Sequence, residues 1–360
     1  MLPILYKKTK TDAIQTYQVT TNNEVITVTQ GQLDGKKQSY TTICEGKNIG
    51  KSNETSPSEQ ALLEAASKHA KKLKSGYVTD PSGELQVKLP QKVHPYLGNE
   101  HKINYPAYST PKLNGVNGTY WLQDDGSLLL TSRGGDPYPA IPHLEPSIHK
   151  LMKQLDTTCL NGELYIHGEH LQDITSAVKK PKPLSTQLVF GLFEAPFIAP
   201  TYSERREILK AVSNPPHVII LTGIEVETTI DIDKHFNSCI EAGYEGTVIY
   251  NADAPYEFNT RSSYVFKYKK PQDGEYKILS YNVDKNDHPV FICETKDGST
   301  FKVKPKGTSE KRKEIITQFD TLYKNQFYKI EYETLSKDGI PLKPVGICLR
   351  KCDSEGNPLE

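Results

Sequence analysis

The sequence predicts an α+β protein of three consecutive blocks, and three patterns lead to that prediction. Two alternating, β-branched runs flank a polar turn at residues 21–23, which predicts a hairpin. Ser56 and Glu59 form a capping-box pattern ahead of a helical run that ends at Gly76. After residue 270, several short strands surround one helical segment.

The first block, residues 1–90, is expected to be a small sheet-plus-helix module. Apolar side chains at helical spacing predict the buried face of its helix, formed by Leu62, Ala66, Ala70 and Leu73. The block contains 12 lysines, no arginine and 9 acidic residues, a net charge of +3. This modest basicity favours contact with phosphates over reading of bases.

The second block covers residues 91–270 and the third covers 271–360. A stretch rich in Pro, Gly and Lys, residues 81–105, is expected to link the first two blocks. The third block has predicted strands at 276–283, 290–295, 300–303 and 327–334 and a charged helix at 309–323. Several short strands with one helix predict a small β-barrel such as an OB-fold.

Composition narrows the class of protein. The 360 residues include 44 basic and 44 acidic side chains, which excludes a uniformly basic nucleic-acid binder but not local patches of positive charge. No run approaches the ~18 apolar residues of a membrane span, and the start does not resemble a secretory signal. The six cysteines form no CxxC pair, which disfavours a disulfide framework or structural zinc. We expect a cytoplasmic protein that is not secreted and has no membrane partner.

A candidate nucleophile, Lys112, lies in a turn rich in Pro and Gly at residues 110–115. A lysine attacks only after its ammonium group loses a proton, and burial or neighbouring positive charge promotes that loss. The alternative is an ordinary lysine of a surface loop. A Ser-Arg-Gly-Gly loop that contains Arg133 follows it.

Further candidates lie on predicted strands. Glu163 is expected at the start of one strand, and Glu245 precedes another. Phe193 ends an apolar strand and is either a core residue or a stacking platform. Lys267 and Lys269 share one side of a strand, because side chains alternate with period two. If both lysines point inward, they need an anion to offset their buried charge. If the strand is a solvent-facing edge, they need none.

In chain order these segments read KLNG, SRGG, NGEL, LVFGLF, EGTV and FKYK, from residues 112, 132, 161, 188, 245 and 266. Their order and spacing resemble the covalent nucleotidyltransferases, and among them the ATP-dependent DNA ligases, over roughly residues 92–355. The family pattern is KxDG, SRxG, DGEL, an aromatic strand, EGxV and LKxK. The resemblance implies an adenylation (nucleotidyltransferase) domain at 91–270 and an OB-fold domain at 271–360.

The resemblance also implies a role for each matching residue. Lys112 would attack the α-phosphate of ATP to form lysyl-AMP, and Lys267 and Lys269 would offset the phosphate charge. The other implied contacts are Thr110 with the adenine edge, Phe193 with the adenine face, Glu163 with the ribose, Glu245 with Mg²⁺, Arg133 with the nucleotide or the 5′-phosphate of a nick, Arg261 with the nucleic-acid backbone, and Lys343 and Arg350 with pyrophosphate. The implied partners are ATP and nicked duplex DNA, with the protein acting as a monomer.

The sequence departs from the family pattern at two positions. Asn114 replaces the aspartate that follows the lysine, and Asn117 replaces an arginine that helps to hold the nick's phosphate. Arg133 or a lysine from another block would then compensate. Residues 1–90 resemble WGR-type modules more loosely, because Gln30-Gly31-Gln32 takes the place of Trp-Gly-Arg. Such a module is either a stabilising cap or a sensor of duplex DNA.

Two other functions use much of the same pattern. An RNA ligase or an mRNA-capping guanylyltransferase would share the lysyl-nucleotide chemistry, while a non-catalytic nucleic-acid-binding protein would not. The OB-like tail and the retention of the lysines and glutamates favour the DNA ligase. In such a ligase the OB domain swings about a hinge, which we expect at residues 270–274. A compact ligase suits the cytoplasm of a bacterium or of a virus-infected cell.

Overall fold

The computed structural model describes residues 2–9, 11–84 and 87–359, and the chain opens with a four-stranded antiparallel sheet in the order β1-β2-β3-β4. The strands are β1 (Leu5–Lys8), β2 (Ile14–Asn22), β3 (Val25–Gln32) and β4 (Lys37–Ile43). The predicted hairpin is confirmed, since Asn22 pairs with Val25 across a two-residue turn.

Helix α1 (Pro57–Lys74) packs on this sheet and begins with the predicted capping box. Ser56 N donates to Glu59 Oε2 at 2.8 Å, and Glu59 N donates to Ser56 Oγ at 3.3 Å. The predicted buried face is wrong: Leu62 is 59% exposed, and the helix instead buries the neighbouring stripe of Ala61 and Ala65. Small side chains let the helix backbone approach the sheet closely, which decides between two adjacent apolar stripes.

The middle of the chain forms two five-stranded sheets, ordered β11-β10-β9-β7-β8 and β12-β6-β13-β14-β5. Their elements are β5 (Lys92–Pro95), β6 (Ala107–Lys112), β7 (Val116–Leu122), β8 (Leu128–Ser132), α2 (Glu145–Gln154), β9 (Cys159–Tyr165), α3 (Leu171–Lys179), β10 (Val189–Glu194), α4 (Tyr202–Lys210), β11 (Val218–Ile220), β12 (Ile224–Val226), α5 (Thr229–Glu241), β13 (Gly246–Asn251) and β14 (Arg261–Tyr268). The largest core cluster packs α2 and α3 against the first of these sheets.

The predicted linker at residues 81–105 is only partly a linker. Its second half contributes β5, which lies parallel to β14 at the edge of the second sheet, and a 3₁₀ turn at Glu100–Lys102. Leu89 is also fixed, because its backbone exchanges hydrogen bonds with Asn259. Lys92 and His94 interrupt any apolar pattern in this four-residue strand, so the sequence did not predict it.

The last block forms a closed barrel in the order β15-β16-β17-β21-β18, which confirms the predicted small barrel. Its elements are β15 (Gln272–Val283), β16 (Pro289–Glu294), β17 (Thr300–Pro305), α6 (Ser309–Thr317), β18 (Phe327–Tyr332), β19 (Thr334–Leu335), β20 (Pro341–Leu342) and β21 (Val345–Arg350). The predicted helix ends early and continues as a π-helical turn at Phe319–Tyr323. The sequence did not predict β21, which closes the barrel.

The segment that separates β14 from β15 is shorter than the hinge expected at residues 270–274. Residues 272–274 belong to β15, where Gly274 pairs with Ile330 of β18, so a change at Gly274 would disturb the barrel. Residues 269–271 alone separate β14 from β15. All six cysteines are unpaired. None of the helices in the described ranges has the length and apolar character needed to cross a bilayer.

Candidate active site

A cleft between the two five-stranded sheets collects five of the predicted site residues, and Glu245, Lys267 and Lys269 lie beside it. It encloses about 90 Å³. One wall is formed by Thr110, Lys112, Val248 and Tyr250, and the other by Asn117, Asn161, Glu163 and Phe193. Arg133 and residues 91–93 complete the lining. The cleft therefore brings lysine, carboxylate, aromatic and arginine side chains from six strands or their adjoining loops into one space.

Lys112 is the last residue of β6, whereas the sequence placed it in a turn. The strand continues through Pro111 because β6 pairs with β13, where Gly246 lies opposite Lys112. The Lys112 Nζ atom donates to Glu245 Oε2 at 2.5 Å and to the Leu113 carbonyl at 3.4 Å. The candidate nucleophile thus ends a rigid strand and has a carboxylate as its nearest partner.

Glu245 lies between two lysines at the start of β13. Its Oε2 accepts from Lys112, and its Oε1 accepts from Lys269 Nζ at 2.8 Å. Burial alone would raise the pKa of Glu245, but the ion pairs with both lysines outweigh burial and hold the pKa below its ordinary value. Glu245 is therefore a charged acceptor at neutral pH.

The series of ion pairs continues from Glu245 towards the barrel. Lys269 also pairs with Glu333, and Glu333 pairs with Lys343. Burial alone would raise the pKa of Glu333, but these two lysines lower it to about 2. Lys112, Glu245, Lys269, Glu333 and Lys343 form what we call the lysine–carboxylate chain, which joins the cleft to the barrel. Sequence reasoning missed Glu333.

Lys267 lies on β14 opposite Val248, a residue of the cleft wall. Its pKa is lowered, first by burial and then by the nearby charges of Lys269 and Lys112. The two lysines predicted to share one side are thus close to Lys112, although Lys269 lies just beyond the end of the strand. Crowded positive charge of this kind favours an anionic ligand.

Glu163 is the fifth of seven residues in β9, not the first as predicted. The strand starts earlier because Asn161 pairs with Thr119 of β7. Burial raises the pKa of Glu163, and the positive charges of Lys112 and Arg133 only partly oppose that rise. Within the described ranges the Glu163 carboxyl group forms no ion pair, so it is suited to accept hydrogen bonds from a ligand.

Phe193 and Thr110 both line the cleft. Phe193 lies near the end of β10 and is half-buried, so one part of its ring remains available to a ligand. Thr110 is buried, and its hydroxyl donates to the Val248 carbonyl at 3.4 Å. Because the Thr110 hydroxyl is engaged in that bond, Thr110 would contact an adenine edge more simply through its backbone.

The loop that follows β8 carries Arg133 to the cleft. The Ser132 hydroxyl accepts from the backbone N–H groups of Gly134 and Asp136, which fixes the loop. Asp136 in turn pairs with Lys74 of α1 at 2.9 Å. The arginine itself is exposed, so it can meet a ligand that covers the cleft.

Three predicted contact residues, Arg261, Lys343 and Arg350, lie away from the cleft. Arg261 donates to the Val93 carbonyl at 2.5 Å on the outer edge of the second sheet. Arg350 lies 3.7 Å from Glu275 on the barrel, so the structure does not bring it to the lysine–carboxylate chain. Lys343 does reach that chain, but only through Glu333. The sequence carries no signal for these positions, because each depends on long-range packing.

The two residues that depart from the family pattern, Asn117 and Asn114, line different cavities. Asn117 is buried in the cleft wall and its Nδ2 donates to the Gly162 carbonyl at 3.2 Å. Asn114 lines a second cavity, between the middle sheets and the barrel, with His170 and Leu342. Neither side chain can provide the positive charge of the family's arginine.

The residues present fit Mg²⁺ only when a phosphate shares it. Within 2–9, 11–84 and 87–359, no three His, Cys, Asp or Glu side chains converge on a metal position. Mg²⁺ typically takes one or two carboxylates together with substrate phosphates. Glu245 can provide such a carboxylate once its lysine partners turn to phosphate oxygens.

Comparison with known proteins gives a family match for the middle of the chain. Residues 99–269 match the profile of the ATP dependent DNA ligase domain. The matched range contains the cleft walls and ends at Lys269. It leaves the first 98 residues and the barrel outside the match.

Two viral relatives extend the similarity along the chain. The DNA ligase of African swine fever virus, strain Badajoz 1971 Vero-adapted, is 27% identical over 340 residues, which cover 86% of this chain and 80% of the relative. The DNA ligase of isolate Pig/Kenya/KEN-50/1950 has the same identity and coverage.

Two solved structures share the fold. A Lig E DNA ligase, described as binding DNA with a minimal scaffold, has a TM-score of 0.59 and 18% identity, and the match covers 73% of this chain and 100% of that one. Pmar-Lig_PreS3 has a TM-score of 0.61 and 20% identity, with 82% and 73% covered. These likenesses confirm the predicted fold class, an adenylation domain followed by an OB-fold barrel.

Proposed function

We propose that this chain is an ATP-dependent DNA ligase that seals 5′-phosphate/3′-hydroxyl nicks in duplex DNA with Lys112 as its nucleophile, because residues 99–269 match the ATP dependent DNA ligase domain. The observation that carries the assignment is the cluster of Glu245, Lys267 and Lys269 around Lys112, which lines the cleft. The family uses ATP as substrate together with a divalent metal. We propose the three domains at 1–90, 91–270 and 271–360.

In the first step the Lys112 amine attacks the α-phosphorus of ATP. An N–P bond forms, the P–O bond to pyrophosphate breaks, and pyrophosphate leaves with the electron pair. Glu245 Oε2 is the nearest acceptor for the proton that the ammonium group must lose first. Lys267 and Lys269 offset the negative charge that builds up on the phosphate oxygens.

Nucleotide binding uses the remaining cleft residues. Phe193 stacks on the adenine, Thr110 contacts its edge, and Glu163 accepts from the ribose. Glu245 helps to hold Mg²⁺, which supplies charge neutralisation at the phosphates when bound. Lys343 contributes to pyrophosphate orientation when Glu333 releases it, whereas we leave Arg350 outside this role because it lies on Glu275.

The later steps transfer AMP to the 5′-phosphate of the nick. The 3′-hydroxyl then attacks that phosphate, the new phosphodiester bond forms, and AMP leaves. Arg133, exposed at the cleft, is placed to contact the 5′-phosphate, and Arg261 contacts the backbone further along the strand. AMP transfer therefore requires the duplex to cover the cleft that holds Lys112.

Lys7 and Lys72 of the first domain, together with Lys92 at the start of β5, support a phosphate contact. Lys72 lies 4.5 Å from the Tyr17 ring centroid and 4.8 Å from that of Tyr77, and Lys7 lies 5.7 Å from Tyr77. The pKa of Lys7 is lowered, first by burial and then by Lys92 and Lys72. In the described part of the chain none of the three lysines forms an ion pair.

We propose that Lys7, Lys72 and Lys92 bind the DNA backbone and replace the arginine that Asn117 displaced. Changing both Lys7 and Lys72 to Gln should reduce the slope of log affinity against log salt by about 2, because two phosphate contacts are lost. Nicked-duplex binding at several salt concentrations measures that slope. Lys51→Gln/Lys71→Gln is the matched control, and an equal effect there would contradict the assignment.

We also propose that the protein acts as a monomer in the cytoplasm of a bacterium or a virus-infected cell. All proposed site residues come from one chain, and six unpaired thiols suit a reducing compartment. Sedimentation with and without nicked DNA measures the oligomeric state. A dimer in both conditions would contradict the first part.

The nucleotide and substrate are tested directly with α-labelled ATP or GTP and Mg²⁺. We expect covalent label from ATP alone and its loss in Lys112→Ala. Label from GTP would instead indicate a capping enzyme, and label from neither would indicate a binding protein. Nicks with RNA on either side then separate a DNA ligase from an RNA ligase.

A further inference from the structure

Among the described residues that line the cleft, one polar side-chain atom is buried without a hydrogen-bond partner: Oδ1 of Asn117. The Asn117 residue is 8% exposed. Its Nδ2 donates to the Gly162 carbonyl, which can only accept, and this contact fixes the orientation of the amide. The acceptor atom of Asn117 is therefore the one left for a ligand.

The neighbouring asparagine of the cleft wall has no such atom. Asn161 Nδ2 donates to the Gly118 carbonyl at 3.2 Å and to Thr119 Oγ1 at 2.9 Å, while its Oδ1 accepts from the Tyr256 hydroxyl at 3.0 Å. Asn161 is thus satisfied by the fold itself. A buried acceptor without a donor costs free energy, so the contrast between the two amides indicates a ligand at Asn117.

The position of Asn117 identifies the part of the nucleotide it meets. Asn117 lies directly opposite Glu163 across the antiparallel pair of β7 and β9. Side chains at such positions share one face of the sheet with Cβ atoms ~5 Å apart. The proposed function assigns the ribose to Glu163 and the adenine to Phe193, so the ligand group beside Asn117 is the sugar.

We propose that Asn117 Oδ1 accepts a hydrogen bond from a ribose hydroxyl of ATP, so that Asn117 and Glu163 read the sugar together. A hydroxyl can donate, whereas a phosphate oxygen would be repelled by the amide oxygen. The inference rests on the proposed function and adds a determinant of sugar specificity. In this chain, the asparagine that replaces the family's arginine makes the enzyme select ribonucleotides over deoxyribonucleotides.

The test compares lysyl-nucleotide formation from ATP, 2′-deoxy-ATP and 3′-deoxy-ATP in the full-length protein. We expect the wild type to prefer ATP over one deoxy analogue by about 10-fold more than Asn117→Leu does, the effect of one buried hydrogen bond. Asn117→Leu should react more slowly with ATP but keep its rate with that analogue. The deoxy analogue that Asn117→Leu no longer distinguishes from ATP identifies the ribose hydroxyl that Asn117 binds.

Asn117→Asp is the matched variant, because it keeps an acceptor and loses the donor to Gly162. It should retain the sugar preference that Asn117→Leu loses. Equal slowing of all three nucleotides by Asn117→Leu would overturn the inference and indicate a structural role. A change of preference only with an ATP analogue that lacks the 6-amino group would overturn it in favour of an adenine contact.

The same experiment separates this inference from the proposed function. Absence of labelling from every nucleotide in the wild type would overturn the proposed function, and the inference with it. Normal labelling by the wild type with no preference between ATP and either deoxy analogue would overturn the inference alone.

Discussion

Two ion-pair systems of the molecule differ in how completely their charges are satisfied. Arg205 and Glu194 each have side chains that are 1% exposed, and Arg205 donates five hydrogen bonds, to Glu194 and to the carbonyls of Ala199, Pro200 and Ala254. A guanidinium has five N–H donors, so none remains for a ligand. Arg205 therefore holds α4 against the sheets and has no capacity for chemistry.

The lysine–carboxylate chain is organised differently. Its members are 22–32% exposed from Lys112 to Glu333, and Lys343 is 78% exposed. Each lysine has three donors, and phosphate oxygens can replace a carboxylate as acceptor. The comparison indicates that a saturated buried pair fixes structure, whereas a partly hydrated series of pairs can be exchanged during a reaction.

The largest expected effect comes from breaking the buried pair. Arg205→Met leaves Glu194 charged and unpaired in the interior, which should reduce the free energy of unfolding by about 3–5 kcal/mol. Urea unfolding followed by the fluorescence of Trp121, the only tryptophan, measures the change. The double variant Arg205→Met/Glu194→Leu should recover part of it. A loss no larger than that of Lys210→Met, an exposed change on α4, would contradict this account.

Breaking the exchangeable system should affect catalysis instead. Glu245→Gln should slow lysyl-AMP formation by about 10²–10³-fold, since it removes one charged group that acts on the reacting atoms. The same change should reduce the free energy of unfolding by only about 1 kcal/mol, because both lysines retain contact with water. Rapid-quench labelling and urea unfolding measure the two quantities. Glu241→Gln, on the exposed side of α5, is the control. If Glu245→Gln destabilised the protein as much as Arg205→Met does, the proposed difference between the two ion-pair systems would be contradicted.

A smaller effect is expected at Glu333, where the lysine–carboxylate chain reaches the barrel. Glu333→Gln frees Lys269 and Lys343 for phosphate, so the affinity for an ATP analogue that cannot be cleaved at the α-phosphate should rise about 3- to 5-fold. Isothermal titration measures this affinity. Glu331→Gln, on β18 two residues before Glu333, is the control. Weaker binding by Glu333→Gln would show that Glu333 supports the nucleotide site instead of competing for it.

The smallest effect is the pH dependence of that contact. The pKa of Glu333 is lowered to about 2 and that of Lys269 is raised. The contribution of Glu333 is therefore complete above its ordinary value of 4.5 and is lost as pH falls towards 2, while Lys269 loses its charge only above 10.5. The difference in unfolding free energy between wild type and Glu333→Gln should be constant from about pH 5 to 8 and shrink below it. A difference unchanged at pH 3 would contradict the assignment.

Much of the site could be predicted from sequence because its residues lie in short segments with fixed local order. Lys112, Glu163, Phe193, Glu245 and Lys267 each belong to such a segment, and the cleft or its near surroundings contain all five. The strands of the barrel were predicted for the same reason, since alternation is a local pattern.

The features that sequence missed depend on packing between distant parts of the chain. Glu333 meets Lys269 across 64 residues and follows β18 without any distinguishing pattern. The buried face of α1 was wrong because two apolar stripes compete and only the sheet decides between them. The free acceptor of Asn117 likewise appears only when its partner Gly162 and its satisfied neighbour Asn161 are seen together.

The most direct test of the central claim is to locate the nucleotide after reaction. The full-length protein is incubated with ATP and Mg²⁺, digested, and mapped by mass spectrometry under conditions that preserve a phosphoramidate. We predict a single adenylyl group on the peptide that contains Lys112, attached at its Nζ. An adenylyl group on any other residue, or its persistence in Lys112→Arg, would contradict the claim that the exchangeable ion pairs serve Lys112.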